Sequence, residues 1–449
     1  MIYSFLKIIV KIATRIFFKK ISVNNKKLIP EEVPLIVVAN HPNTFMDPVL
    51  IAALMQQQVY FLAKSTVFGS PIKDWFLGNI LNMIPVYRKQ DLPPGKLANN
   101  QAVFEKCFDF LKNKGTLLIF PEGTSVMEKK LREIKTGTAR IALGAEAENN
   151  FNLGVKILTV GINYSEGEKF RSDVTLNIDE PINVSEWKEV YNNSSSDAAH
   201  KLTDHIREKL EKQLVVTIDK DHERLLEQTE LIFKNELAES IDLPKKEKDF
   251  LISKGISEAL KYFEENDSQM LASLKTRINT YFRKLDLLGL HDGLLKKKNL
   301  ESNIFWKSIR ILTFLIVGSP IWLIGLLTNY IPYILPSKIA PLISKHIEFR
   351  APVMMAIGVL TFSIYYFLTN LLVYQLTHNW VLIPVFTFLS AISGFFVLLY
   401  WNVVVETRKN LKLLGIFRKE KDILRELIKE RKAICKMLEK AKDQYLNTL

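Results

Sequence analysis

The sequence predicts an α/β domain, a central mixed sheet flanked by helices, followed by a helical extension and C-terminal transmembrane helices. Three observations carry this reading. Short apolar runs alternate with helix-periodic stretches between about residues 34 and 184. A strand-poor, heavily charged stretch follows, to about Lys298. Finally, no Lys, Arg, Asp or Glu occurs from Ala351 to Val405, a run that a water-facing domain rarely sustains.

Residues 1–20 open the chain. Lys7, Lys11, Arg15 and Lys19 recur every four residues, with Phe5, Ile9, Ile12, Ile16 and Phe17 towards the other face. A helix so divided lies in the headgroup plane of an anionic leaflet, or packs on the domain as an ordinary amphipathic helix. No run between the cations is long enough for a secretion-signal core. Residues 30–190 make the α/β domain. Its strands are expected at Leu35–Asn40, Val59–Lys64, Met83–Arg88, Thr116–Pro121, Val155–Tyr164 and Val174–Ile178, with helices over Leu97–Leu111 and Thr138–Ala147. The polar break Asn192–Asp197 supplies an N-cap, and residues 196–303 form the helical extension.

Residues 304–405 are the membrane region. Residues 353–376 and 380–402 are each long enough to cross, joined by the uncharged tip Thr377-His378-Asn379. Residues 311–337 are charge-free but interrupted by Gly318-Ser319-Pro320, Pro332 and Pro336. The α/β domain, the loop Lys338–Arg350 and the tail 406–449, with 13 Lys/Arg against 7 Asp/Glu, are all basic. Basic segments stay cytosolic, which favours a re-entrant 311–337 turning at the Gly-Ser-Pro break over a kinked full span. The tail reads as a charged cytosolic helix.

The formal charge of +13 fits an anionic membrane surface or a phosphorylated substrate. No zinc-finger spacing or aromatic-interleaved basic stripe accompanies it, so nucleic acid is not expected as a partner. Cys107 and Cys435 are the two cysteines, far apart and without metal-ligand spacing. A reducing compartment is expected, with neither a disulfide framework nor a metal.

Four clusters carry chemistry, all in the α/β domain. His41 follows a strand, with Asp47 six residues on; an imidazole with a carboxylate to fix its tautomer is what a hydroxyl-activating base needs. Arg88 ends Ile84-Pro85-Val86-Tyr87-Arg88, where a guanidinium can fork onto a phosphate. Phe120-Pro121-Glu122-Gly123-Thr124-Ser125 puts a carboxylate into a tight turn at a strand end. Lys135-Thr136-Gly137 opens a helix beside a cation, a reasonable anion site.

Together the clusters resemble the glycerolipid acyltransferase family over roughly Pro34 to Val184. The NH…D, IPV-R and FPEGT boxes match in kind, order and position after strands. The resemblance implies His41 as general base, Asp47 as its partner, and Arg88, Glu122, Gly123 and Thr124 as acceptor-binding residues. Lys135 and Gly137 match a weaker Lys-Gly element. Two features depart from the pattern. The family's usual box sets four residues between His and Asp, but here five intervene, Pro42 to Met46. One extra residue rotates a helical position by about 100°, so a turn must absorb it, expected at Pro42-Asn43. This spacing is similar to that of the yeast-type glycerol-3-phosphate acyltransferases, which read H-A-N-Q-F-x-D-P. Ser125 stands where the family usually has arginine, and Lys129, Lys130 or Lys135 is expected to supply that charge.

The resemblance implies single-displacement transfer of a fatty acyl group from acyl-CoA or acyl-carrier protein, as co-substrate, to glycerol 3-phosphate or 1-acylglycerol-3-phosphate. No other cofactor is implied. An integral membrane protein with its active site on the cytosolic face is expected. Other lysophospholipid or lipid acceptors, and a non-catalytic membrane-binding protein of the same fold, are the competing readings.

Overall fold

The computed structural model describes residues 2–88, 91, 100–239, 245–295, 304–419 and 421–448. The chain divides into two compact units. One is Met1–Val216 with Pro341–Met355, and the other Thr217–Ala340 with Ala356–Leu449.

The first unit is built on an eight-stranded sheet. Its strands are β1 (Lys20–Asn24), β2 (Leu35–Ala39), β3 (Val59–Lys64), β4 (Met83–Val86), β5 (Thr116–Ile119), β6 (Lys156–Tyr164), β7 (Asp173–Ile178) and β8 (Ile182–Asn183). They run β1-β7-β6-β2-β5-β3-β4, with β8 on β6. All neighbours pair parallel except β6 with β7 and with β8. The sheet is therefore mixed, with a parallel heart.

Alternation along β2 and β5 sends side chains to both faces. Ile36, Val38, Leu117 and Ile119 join one core with α4 (Gln101–Lys112), α5 (Gly137–Glu148) and α7 (Ser195–Lys212). Leu35, Val37, Ala39 and Leu118 join the other with Phe17 of α1 (Ile2–Phe17) and with Leu50 and Ile51 of α2 (Met46–Leu54). Ala351, Met354 and Met355, far along the chain, pack into this second core. Helices α3 (Pro71–Asn79) and α6 (Lys188–Asn193) complete the unit.

Two boundaries differ from expectation. The sheet begins at Lys20, and the helix assigned to the extension after Asn192 belongs to the sheet. Ala198, Leu202, Ile206 and Leu210 repeat at helical spacing and are buried in the first core. Helix α1 docks through Tyr3, whose hydroxyl accepts from Val59 N at 3.2 Å, and Lys7, whose Nζ donates to Gln56 O at 2.9 Å. It leaves Ile2, Phe5, Ile8, Ile12 and Ile16 exposed. The helix expected at Leu97–Leu111 starts at Gln101; its first residues, 97–99, lie outside the described ones.

The second unit holds α8 (Lys220–Glu239), α9 (Lys245–Asn266), α10 (Ser268–Leu288), α13 (Leu382–Lys419), α14 (Lys421–Leu446) and most of α11 (Ile304–Ile343) and α12 (Arg350–Thr377). The end of the expected extension, residues 296–303, lies outside the described residues. The charged tail packs through α14, whose Leu424, Leu427, Ile434 and Leu438 are buried. Arg277 of α10 grips both oxygens of Glu430 there, at 2.8 and 2.9 Å.

Three stretches, Ile309–Ile343, Ile347–Thr377 and Leu382–Arg408, are long and apolar enough to cross a membrane. The expected re-entrant turn at Gly318-Ser319-Pro320 does not form, and α11 runs unbroken for 40 residues. Hydroxyls explain how. Pro320 and Pro336 cannot donate to the carbonyls four residues back, Ile316 and Pro332. Ser319 Oγ donates to Ile316 O at 2.9 Å, and Thr361 Oγ1 donates to Pro332 O at 3.1 Å. With these two freed acceptors satisfied, an apolar environment tolerates Pro320 and Pro336.

Candidate active site

Strands β2 and β5 lie side by side and parallel, with Val38 opposite Ile119. Their carboxyl ends therefore deliver His41 and Glu122 to one edge of the sheet, where open α/β sheets place their sites. Asn40 pins the exit of β2 to β6: its Oδ1 accepts from Ile162 N at 2.7 Å and its Nδ2 donates to Ile162 O at 3.0 Å. The next residue, His41, starts from a fixed backbone.

The His41 ring stacks on Phe120 at 3.9 Å between centroids, 12° from parallel. Its Nδ1 lies 2.9 Å from Asp47 Oδ2. Asp47 sits in the first turn of α2 and is fully buried. It also accepts from Asn43 N at 2.7 Å and from Tyr164 Oη at 2.7 Å. Three donors converge on groups that only accept, which leaves Nδ1 as the protonated ring nitrogen and Nε2 as the basic one. Burial, then the neighbouring Asp47, push the Tyr164 phenol well above its usual range, so it remains a donor.

Glu122 is 8% exposed and its two oxygens are both engaged. Oε1 accepts from His41 N at 2.9 Å and Oε2 from Arg132 N at 3.1 Å. The carboxylate thus ties the histidine loop to the segment after the FPEGT turn. Burial raises its pKa, with the amides of His41 and Arg132 pulling the other way.

Arg88 follows β4, on the far side of β3 from β5. Its Nη1 donates to Gly123 O, which joins it to the turn that carries Glu122. Its Nε and Nη2 fork onto Asp91, at 2.5 and 2.8 Å. The Arg88 hydrogen bond holds the Asp91 carboxyl below its ordinary value. Gly123 has φ +67°, a left-handed turn position that favours glycine. Thr124 is exposed beside it. Lys135 donates its backbone N–H to Pro121 O at 2.8 Å, while its exposed side chain reaches Glu133 at 3.4 Å. Gly137 opens α5 two residues later.

Within the histidine box the left-handed turn residue is Thr44, not Pro42 or Asn43. Thr44 has φ +35° and α2 starts two residues on, at Met46. Ser125 meets this distortion directly, its Oγ accepting from Thr44 N at 2.8 Å. Sequence reasoning did not single out Tyr164 or Asp91, and it quoted Phe120 only as part of the FPEGT cluster, with no role for its ring. Tyr164 ends an expected strand, and nothing in the local pattern marks its hydroxyl.

The family model named Acyltransferase matches residues 20–163. Glycerol-3-phosphate O-acyltransferase 2 of Saccharomyces cerevisiae is 30% identical over 208 residues, 45% of this chain and 27% of that protein. A Chlamydomonas reinhardtii 1-acyl-sn-glycerol-3-phosphate acyltransferase is 29% identical over 138 residues, 30% of this chain and 38% of that one. The chain thus spans well under half the length of either relative. The crystal structure of the lysophosphatidate acyltransferase PlsC from Thermotoga maritima covers 47% of this chain and 78% of its own at 21% identity, with a TM-score of 0.33. Residues 20–163, which bring His41, Asp47, Arg88 and Glu122 to one sheet edge, are a domain of the acyltransferase family.

Proposed function

We propose that the protein is a membrane-bound glycerolipid O-acyltransferase. It moves a fatty acyl group from acyl-CoA or acyl-carrier protein to glycerol 3-phosphate, with 1-acylglycerol-3-phosphate as a second acceptor. The observation that carries this reading is the His41–Asp47 contact of 2.9 Å in a ring braced by Phe120.

Nε2 of His41 takes the proton of the acceptor hydroxyl as its oxygen attacks the thioester carbonyl. Asp47 holds the imidazole and stabilises the imidazolium. The C–S bond then breaks, and the proton passes from His41 to the departing thiolate. Arg88, which bonds Gly123 O, is assigned to the acceptor phosphate together with Gly123, Thr124, Lys135 and Gly137. Glu122 is assigned a bracing role, since both its oxygens already hold backbone amides. The five-residue spacing and the similarity to the yeast enzyme support glycerol 3-phosphate as acceptor. Basic flanks support a cytosolic active site, with the exposed apolar face of α1 against the bilayer.

The test offers purified full-length protein glycerol 3-phosphate and lysophosphatidate side by side, each with both donors. Transfer to glycerol 3-phosphate is expected, and His41→Ala should lower the rate by about 10² to 10⁴ while the protein stays folded. Undiminished turnover in the variant overturns the role of His41. Transfer to lysophosphatidate alone overturns the acceptor assignment.

A further inference from the structure

Thr44 is β-branched, buried and left-handed, a costly combination outside glycine. Two hydrogen bonds hold it there. Its N–H donates to Ser125 Oγ at 2.8 Å, and its Oγ1 donates to the carbonyl of Glu348 at 2.9 Å. The next ring, Phe45, meets Phe349 edge-on at 6.2 Å between centroids. Glu348 and Phe349 belong to the short connection between α11 and α12, and Ala351 just beyond is fully buried against the α2 face of the sheet. On the other side of Thr44, the Asn43 amide donates to Asp47.

We propose that residues 344–350 are a positioning element of the acyl-transfer site. They clamp Thr44, and through it set the Asn43–Asp47 turn that orients His41. Both departures from the family pattern belong to this one device. The strained residue lies within the longer His41–Asp47 spacing, and Ser125, in the arginine's usual place, receives its amide. The connection between two apolar helices thereby bears directly on the base. The kinetic part of this inference rests on the acyl-transfer reading above; the contact does not.

The experiment uses the full-length protein in membranes. Thr44→Val keeps the branched shape but loses the donor, whereas Thr44→Ser keeps the donor. The valine variant should lose about tenfold in kcat, with both KM values moving less than about twofold, and serine should restore most of the loss. A valine variant with the wild-type kcat, a serine variant as slow as valine, or a change confined to KM overturns the proposal. In parallel, Phe45→Cys/Phe349→Cys is treated with a short bis-maleimide and cross-linked peptides are read by mass spectrometry. The native thiols, Cys107 and Cys435, are buried and should stay unlabelled. A cross-link is expected, and its absence overturns the clamp whatever the activity. Should the wild-type protein transfer no acyl group, the function fails instead, and the cross-link still decides the contact.

Discussion

Tyr164 donates to Oδ1 of Asp47 at 2.7 Å, while His41 meets Oδ2 of the same carboxylate at 2.9 Å. One buried side chain therefore faces a phenol on one oxygen and the candidate base on the other. The tyrosine comes from the end of β6 and the aspartate from α2, so the contact also fixes the helix against the sheet.

Tyr164→Phe removes one donor from Asp47 and keeps the ring. A hydrogen bond to a charged group contributes about 1.5 to 3 kcal/mol, so kcat should fall by about tenfold or more. The KM values should hardly move, because Tyr164 touches the orienting carboxylate and not the assigned acceptor residues. Steady-state kinetics of the purified variant check this. A normal kcat would show that His41 and Asn43 suffice to hold Asp47.

Arg88→Ala should raise the acceptor KM and leave the donor KM unchanged, with Lys rescuing only partly because a point charge cannot reproduce the fork. Asp91 adds a sharper test. It occupies two of the Arg88 nitrogens, so it competes with an acceptor phosphate for the same charge. Asp91→Asn should therefore lower the acceptor KM. A rise would mean that Asp91 aims the guanidinium, and that aiming outweighs competition.

Much of the site was legible because motif residues sit directly after strands. Runs such as Leu35–Ala39 and Thr116–Ile119 are too apolar and short to be anything but buried strands. Once they pair in parallel, His41 and Glu122 share an edge. Strand β1 was hidden because Lys-Ile-Ser-Val-Asn is half polar and its partner β7 is about 150 residues away. Helix α7 was recognised as a helix, but periodicity names a buried face and not what buries it. The same limit hid residues 341–355, whose partners lie at the other end of the chain. The Gly-Ser-Pro break misled because hydroxyls on Ser319 and Thr361 repair what proline removes.

Glu122 makes a prediction about pH. Burial raises its folded pKa above the ordinary value of 4.5. Such a group contributes stability that is full below about pH 4.5 and is lost as pH rises through the folded value. Glu122→Gln has no such titration. Wild type should therefore lose ground against Glu122→Gln in thermal unfolding as the pH is raised from 4.5. A difference independent of pH, or one that grows in favour of wild type, would show that the amides of His41 and Arg132 outweigh burial.

The arrangement of the three apolar helices makes a prediction about topology. They meet at Asn329 of α11, which is 7% exposed. Its Nδ2 donates to Ser390 O of α13 at 2.9 Å, and its Oδ1 accepts from Tyr366 Oη of α12 at 2.7 Å. From that point the two halves of α11 follow different partners. Towards its start, α11 follows α13: a methyl on Gly325 would come within 2.5 Å of Ser393 O, and Tyr400 Oη donates to Leu315 O at 2.9 Å. Towards its end it follows α12 backwards, with Thr361 on Pro332 O and Gly358 beside Pro336. Both directions lead away from the tip at His378–Trp380, so Leu315 and Pro336 both meet the hairpin farther from its tip than Asn329 does. Helix α12, with 28 residues, is about 42 Å long, enough to cross a hydrocarbon core of about 30 Å. Reporters fused before Met1, inserted near Lys345 and fused after Leu449 should therefore face the same side, and a tag at Thr377 the opposite one. Gly325→Leu should weaken this packing and lower the yield of folded protein, because small residues let these helices approach closely. A reporter before Met1 on the side opposite Lys345 would mean that α11 crosses the bilayer and that the Asn329 junction does not form in the membrane, whereas Lys345 and Leu449 on opposite sides would mean that α12 and α13 are not a hairpin.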